Sequence, residues 1–143
     1  MPKESEERLS KMIGKVSLFS NLSQKQLKSI GKSGTERSFD AGSVIIKEGE
    51  KGVGFYLILS GRVEVRRKGK VLSTFTAGEF FGEMGLIDDQ PRSADVVAVS
   101  PTTTFCLSPW SFTGAVTGNP EIALKVMKVL VDRLRTSSKA LTE

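Results

Sequence analysis

Between Thr35 and Leu107 the chain is built from short apolar runs separated by glycine turns, and no run is long enough to make a helix. Asp40-Ala41-Gly42 precedes Val44-Ile45-Ile46, and the charged stretch from Lys47 to Gly52 precedes Phe55-Tyr56-Leu57-Ile58-Leu59. Ser60-Gly61 leads into Val63-Glu64-Val65-Arg66, which alternates with period two, and Lys68-Gly69-Lys70 leads into Val71-Leu72-Ser73-Thr74-Phe75. Two later runs, near 95–99 and 103–107, have the same character. Short strands with turn signals this dense fold as a sandwich, roll or barrel.

The flanks read differently. Leu9, Met12, Ile13 and Val16 recur at helical intervals. Ser23 and Gln26 have the spacing of a capping box, which opens a second short helix carrying Leu27 and Ile30 inward. Ser108-Pro109 and Asn119-Pro120 each place a capping residue before a proline, which predicts a helix from Pro109 to about Val116 and a longer one from Pro120 to about Lys139. The expected layout is one domain over 1–143, with helices over 1–34, strands over 35–107 and helices over 108–143.

Composition removes several kinds of chemistry. The 143 residues include one cysteine and no histidine, so neither an internal disulfide nor a Cys/His metal site can form. The commonest general base is missing as well. Cys106, within Phe105-Cys106-Leu107, reads as a small buried side chain. The formal charge of +5 is spread along the chain, as on a solvated surface, with no basic block interleaved with aromatics to bind nucleic acid. No apolar stretch approaches the ~20 residues of a membrane span. No signal peptide is visible behind the polar N-terminus, so a cytoplasmic location is expected.

One run is neither strand nor ordinary loop. It extends from Gly78 to Ala94, as Gly-Glu-Phe-Phe-Gly-Glu-Met-Gly-Leu-Ile-Asp-Asp-Gln-Pro-Arg-Ser-Ala. Gly82 allows close approach of the backbone to a ligand. Glu83 to about Ile87 can form one helical turn with free N–H groups suited to an anion. Glu83 can accept hydrogen bonds from neighbouring hydroxyls, and Arg92 offers a planar fork to phosphate oxygens. A carboxylate for hydroxyls beside an arginine and free amides for phosphate describes a sugar-phosphate site.

Phe81-Gly82-Glu83-Met84-Gly85-Leu86-Ile87 and Pro91-Arg92-Ser93-Ala94 resemble the phosphate-binding cassette of cyclic-nucleotide-binding domains. Such domains occur in catabolite-activator regulators, protein kinase A regulatory subunits and cyclic-nucleotide-gated channels. Gly42, Gly49, Gly61 and Gly78 also fall where that family has its roll glycines, and the resemblance runs from about Leu18 to Arg135. It implies a mainly β fold: an antiparallel eight-stranded, jelly-roll-like β-roll (a double-stranded β-helix) with N-terminal helices and a C-terminal lid helix. Glu83 would hold the ribose 2′-hydroxyl, and Arg92 would pair with the cyclic phosphate, helped by the backbone N–H groups of Gly85 and Ser93. Gly82 and Met84 would line the ribose side through their backbones, Ala94 would be a ligand-binding position of the same motif, and Val63 or Val71 would wall the base. Where the family usually has alanine this chain has Gly85, which loosens the turn by about 1 kcal/mol and reduces its preorganisation.

On the final helix Ile122, Val126, Val129, Ala123, Leu130, Leu134, Met127 and Val131 cover a broad apolar arc, and Arg133 stands in the middle of it. Arg133 either snorkels to water or the C-terminal carbonyls, or stacks on the purine as the helix folds over the pocket. The arc is wider than one contact with the strands needs, so part of it can pack on the N-terminal helices and part can form a homodimer. No helix-turn-helix follows, so no DNA-binding element is expected in this chain.

The functional expectation is a sensor, not an enzyme. It binds cyclic AMP, with cyclic GMP as the alternative, and passes lid movement to an unidentified effector protein or missing effector domain. The rival readings are a dimerisation or docking module with a vestigial pocket, and a metal-dependent cupin-like enzyme, for which the usual histidines are missing.

Overall fold

A computed structural model describes residues 2–49, 54–82 and 94–142. Helix α1 (Pro2–Gly14), a 3-10 turn (Ser17–Phe19) and α2 (Gln24–Ser33) come first. Eight strands follow among the described residues: β1 (Thr35–Phe39), β2 (Val44–Ile46), β3 (Phe55–Ser60), β4 (Arg62–Arg67), β5 (Lys70–Thr76), β6 (Phe80–Phe81), β7 (Asp95–Ala98) and β8 (Thr102–Leu107). Helices α3 (Pro109–Gly118) and α4 (Pro120–Thr142) end the chain. The strands form two four-stranded antiparallel sheets, in the orders β1-β8-β3-β6 and β2-β7-β4-β5. This is the mainly β, helix-flanked roll that the sequence implied.

The β1-β8-β3-β6 sheet is the middle layer of three, and its sequence shows why. Successive side chains of a strand point to opposite faces. In β3, Phe55 and Leu57 turn toward the helices, while Tyr56 and Ile58 turn toward the second sheet. Phe80 and Phe81 of β6 divide in the same way. The helical core adds Ile13, Phe19, Leu27, Ile30, Phe105, Leu107, Ile122 and Val126; the inter-sheet core adds Ile46, Val63 and Val96. An apolar run buried on both faces loses its polar alternation, as β3 does.

The helices join this sheet through specific polar contacts. The capping box at Ser23 and Gln26 forms, with Gln26 N donating to Ser23 Oγ at 3.2 Å and Ser23 N donating to Gln26 Oε1 at 2.8 Å. Ser108 caps α3 through Ser111 N. Asn119 corrects the sequence expectation. Its Oδ1 accepts from Gln26 Nε2 at 2.6 Å and its Nδ2 donates to Ala115 O at 3.0 Å, so the side chain serves α2 and α3 and does not cap α4. The last two helices also run past their expected ends, to Gly118 and Thr142.

Gly61, between β3 and β4, has φ +97, and a Cβ there would lie 2.5 Å from Pro101 O and Thr102 Oγ1. Left-handed backbone costs a non-glycine residue about 1–2 kcal/mol, and forced overpacking typically adds 1–3 kcal/mol. Gly61→Ala should therefore destabilise the domain by about 2–4 kcal/mol in urea unfolding. A loss under roughly 1 kcal/mol would show that the β3–β4 corner relaxes freely.

Candidate functional site

The segment that enters the 78–94 run is fixed by backbone bonds before it reaches any polar site residue. Gly78 N donates to Ile58 O at 2.8 Å, and Ile58 N donates to Glu79 O at 2.9 Å, so both backbone groups of Ile58 hold the turn. Glu79 Oε2 accepts from Thr76 N at 3.1 Å. Phe80 then lies against Phe55 with ring centroids 5.1 Å apart, and Phe81 stacks on Tyr56 at 5.0 Å. Gly82 follows with φ +91, and a Cβ there would run into the carbonyl oxygen of Gly54. The protein's own packing thus requires glycine at this position. At the far end, Ala94 is buried just before β7. Glu83, Met84, Gly85, Arg92 and Ser93 lie outside the described residues.

Arg133 occupies the sharpest geometry in this region. Its guanidinium carbon lies 4.3 Å from the Phe75 ring centroid and 4.7 Å from that of Phe80, and Nη2 donates to Phe80 O at 2.6 Å. A planar guanidinium over aromatic faces keeps much of its favourable electrostatics while losing water. Its hydrogen bond ends on β6, two residues before Gly82. Helix α4 is thereby tied to the strand that leads to Gly82.

Beside this contact, β5 and α4 enclose an open cavity of about 560 Å³, lined by Leu72, Ser73, Phe75, Glu79, Val129, Asp132, Arg133 and Thr136, among others. Val71 is 51% exposed on β5, whereas Val63 is wholly buried in the inter-sheet core. Leu72 and Ser73 were not singled out from the sequence. The β4–β5 register shifts between Val65 and Arg66. Cys106 is half-buried, not fully buried. Desolvation pushes its thiol pKa up, and the Arg37 charge and a hydrogen bond with Tyr56 draw it partly back.

The sequence family described as "Cyclic nucleotide-binding domain" matches residues 36–117, more than half of the chain. A cAMP-dependent protein kinase regulatory subunit of Yarrowia lipolytica is 35% identical over 109 residues, which cover 76% of this chain and 29% of the relative. A cGMP-dependent protein kinase of Eimeria tenella is 38% identical over 96 residues, 67% of this chain and 9% of the kinase. The chain therefore spans under a third of either relative. Among solved structures, the Thermus thermophilus catabolite activator protein superposes with a TM-score of 0.77 at 29% identity, covering 87% of this chain and 61% of that one.

Two outcomes follow from the described geometry. Arg133→Ala should lower unfolding stability by about 1–3 kcal/mol, the range for a charged hydrogen bond with ring contacts, and Arg133→Lys should recover less than half of it. Equal stability of all three proteins in urea would mean that the contact contributes nothing. Raised thiol pKa means less thiolate at neutral pH, so Cys106 should react with iodoacetamide more slowly than glutathione does. A rate equal to or above that of glutathione would contradict this.

Proposed function

This chain belongs to the cyclic nucleotide-binding domain family, and from that premise we propose that it is a single-domain sensor whose ligand is a cyclic purine monophosphate held by the 78–94 segment. Its relatives in this family are regulatory, and the chain itself is a binding domain. In this reading Glu83 accepts from the ribose 2′-hydroxyl, and Arg92 forms the bidentate pair with the cyclic phosphate. The N–H groups of Gly85 and Ser93 complete the anion site at the start of the short turn. The backbones of Gly82 and Met84 lie along the ribose, Ala94 returns the chain to β7, and the base points toward β5 near Val71 and toward Arg133.

The observation that carries the mechanism is the Arg133 Nη2 bond to Phe80 O at 2.6 Å, two residues before Gly82. A ligand that draws in the segment after Gly82 acts on the same short strand that holds α4, so binding changes the position or order of that helix. Arg133 exchanges part of its contact with the Phe75 and Phe80 rings for the face of the purine. For a switch, the ligand must favour one lid position by a few kcal/mol. The moved helix is then read by an effector protein or by a domain of a longer chain.

Both cyclic AMP and cyclic GMP fit this scheme, because Ser93 can serve the phosphate or a guanine amino group; the family resemblance at Ser93 puts cyclic AMP first. The relatives include a cGMP-dependent protein kinase and a regulatory subunit of a cAMP-dependent protein kinase. The same reading gives a cytoplasmic domain; among the described residues no helix is long and apolar enough to cross a membrane.

Titration calorimetry with cyclic AMP and cyclic GMP tests the proposal. Binding in the micromolar range or tighter is expected with one of them, weakened about 10- to 100-fold by Arg92→Ala, the loss of a charged hydrogen-bonded pair. No heat from either nucleotide, on folded protein free of copurified ligand, would overturn the sensor reading and leave an interaction module.

A further inference from the structure

The chain's one tryptophan stands almost clear of its own fold. Trp110 is 88% exposed, more than any other large apolar side chain among the described residues. It lies on α3 one turn before Gly114, and so on the same face of the helix. Gly114 lines an open groove of about 510 Å³ between α2 and α3, separate from the cavity between β5 and α4. Lys25, Ser29 and Ser33 form one wall at four-residue intervals, and Ser111, Gly114 and Gly118 form the other. Ile30 and Ala115 are buried along the floor, where Gln26 Nε2 donates to Asn119 Oδ1 at 2.6 Å and joins the two helices.

The fold itself does not need the glycines of this wall. Gly34, Gly61 and Gly82 each sit where a Cβ would strike a neighbour, but a Cβ on Gly114 or Gly118 would meet nothing within 4 Å, and neither has positive φ. Glycine inside a helix is unfavourable, so Gly114 destabilises α3 with no compensating contact in its own chain. What it provides is bare backbone that a second chain can approach closely. The charge is one-sided as well. Helix α2 carries Lys25, Lys28 and Lys32 and no carboxylate, and α3 carries no charge.

We infer that this groove docks a short acidic segment of a partner protein, anchored by Trp110 at its α3 edge. Tryptophan is enriched among the few side chains that dominate binding energy, and the lysines attract carboxylates while repelling basic segments. The walls run ~12 Å, room for about two turns of a docked helix. A membrane surface fits less well, because an interfacial helix presents a row of bulky apolar side chains, whereas these walls are serine and glycine. The inference uses no property of the nucleotide site.

Selection of random tryptophan-free peptides of about 14 residues, nearly four helical turns, against the immobilised full chain tests it. The enriched peptides should be acidic, should shift the Trp110 emission to the blue, and should bind less tightly as salt rises. Trp110→Ala should weaken them about 10-fold or more, read by anisotropy of labelled peptide. Gly114→Leu should fill the groove and remove binding while circular dichroism and the urea midpoint hold or improve, since its side chain enters open space. Enriched peptides with no excess of carboxylates, or acidic ones that bind Gly114→Leu as well as the parent, would overturn the assignment. So would a selection that enriches nothing, or a Trp110 shift produced by vesicles of phosphatidylcholine and phosphatidylserine and by no peptide.

Discussion

Everything in this fold depends on a middle sheet that is apolar on both faces. Phe55 and Leu57 bury under the helices while Tyr56 and Ile58 bury between the sheets, and Phe80 and Phe81 repeat the division. Burial of each such side chain stabilises by about 1.5–3 kcal/mol, so β3 and β6 belong to both cores. Motion of either strand is therefore felt in both layers. This double constraint extends to Phe81, and the next residue, Gly82, has φ +91 and a backbone on which a Cβ would run into the Gly54 carbonyl oxygen.

Against that sheet, Arg133 is the one cation of α4 placed over aromatic rings among the described residues. Burying a charge among aromatics is costly unless its hydrogen bonds are met, and here Phe80 O accepts one while two ring faces supply negative potential. The contact is specific in direction but modest in strength. Arg133 does not hold the helix alone, since Ile122 and Val126 are buried in the helical core and Lys125 Nζ donates to Ser17 O at 2.7 Å. A hydrocarbon at the same position would hold the helix without offering a polar group to exchange.

What the sequence revealed depended on how local the cause was. The Ser23–Gln26 box and the Ser108 cap are set by spacing within a few residues, and both form as read. The strand runs of the roll are legible for the same reason, since turn glycines and short apolar runs lie side by side. Asn119 read as the cap of α4 because its neighbours in sequence suggested it. Its side chain instead answers Gln26, 93 positions away, a partner that only the fold supplies. Arg133 stood out as an anomaly on the helical wheel, but the rings that accommodate it come from β5 and β6, and nothing in α4 names them. Leu72 and Ser73 line the cavity because β5 meets α4 there, a juxtaposition that no local pattern in β5 announces. For Glu83 and Arg92 the reading rests on residue chemistry and family resemblance, and it enters the function as a proposal.

The two faces of α4 bring these threads together. One face fixes the helix to its own roll through Ile122, Val126 and Arg133; the other presents Leu124, Met127, Val131 and Leu134 outward. The inner face answers to the middle sheet, so any displacement of α4 would have to break its contacts with the helical core and with β6 together.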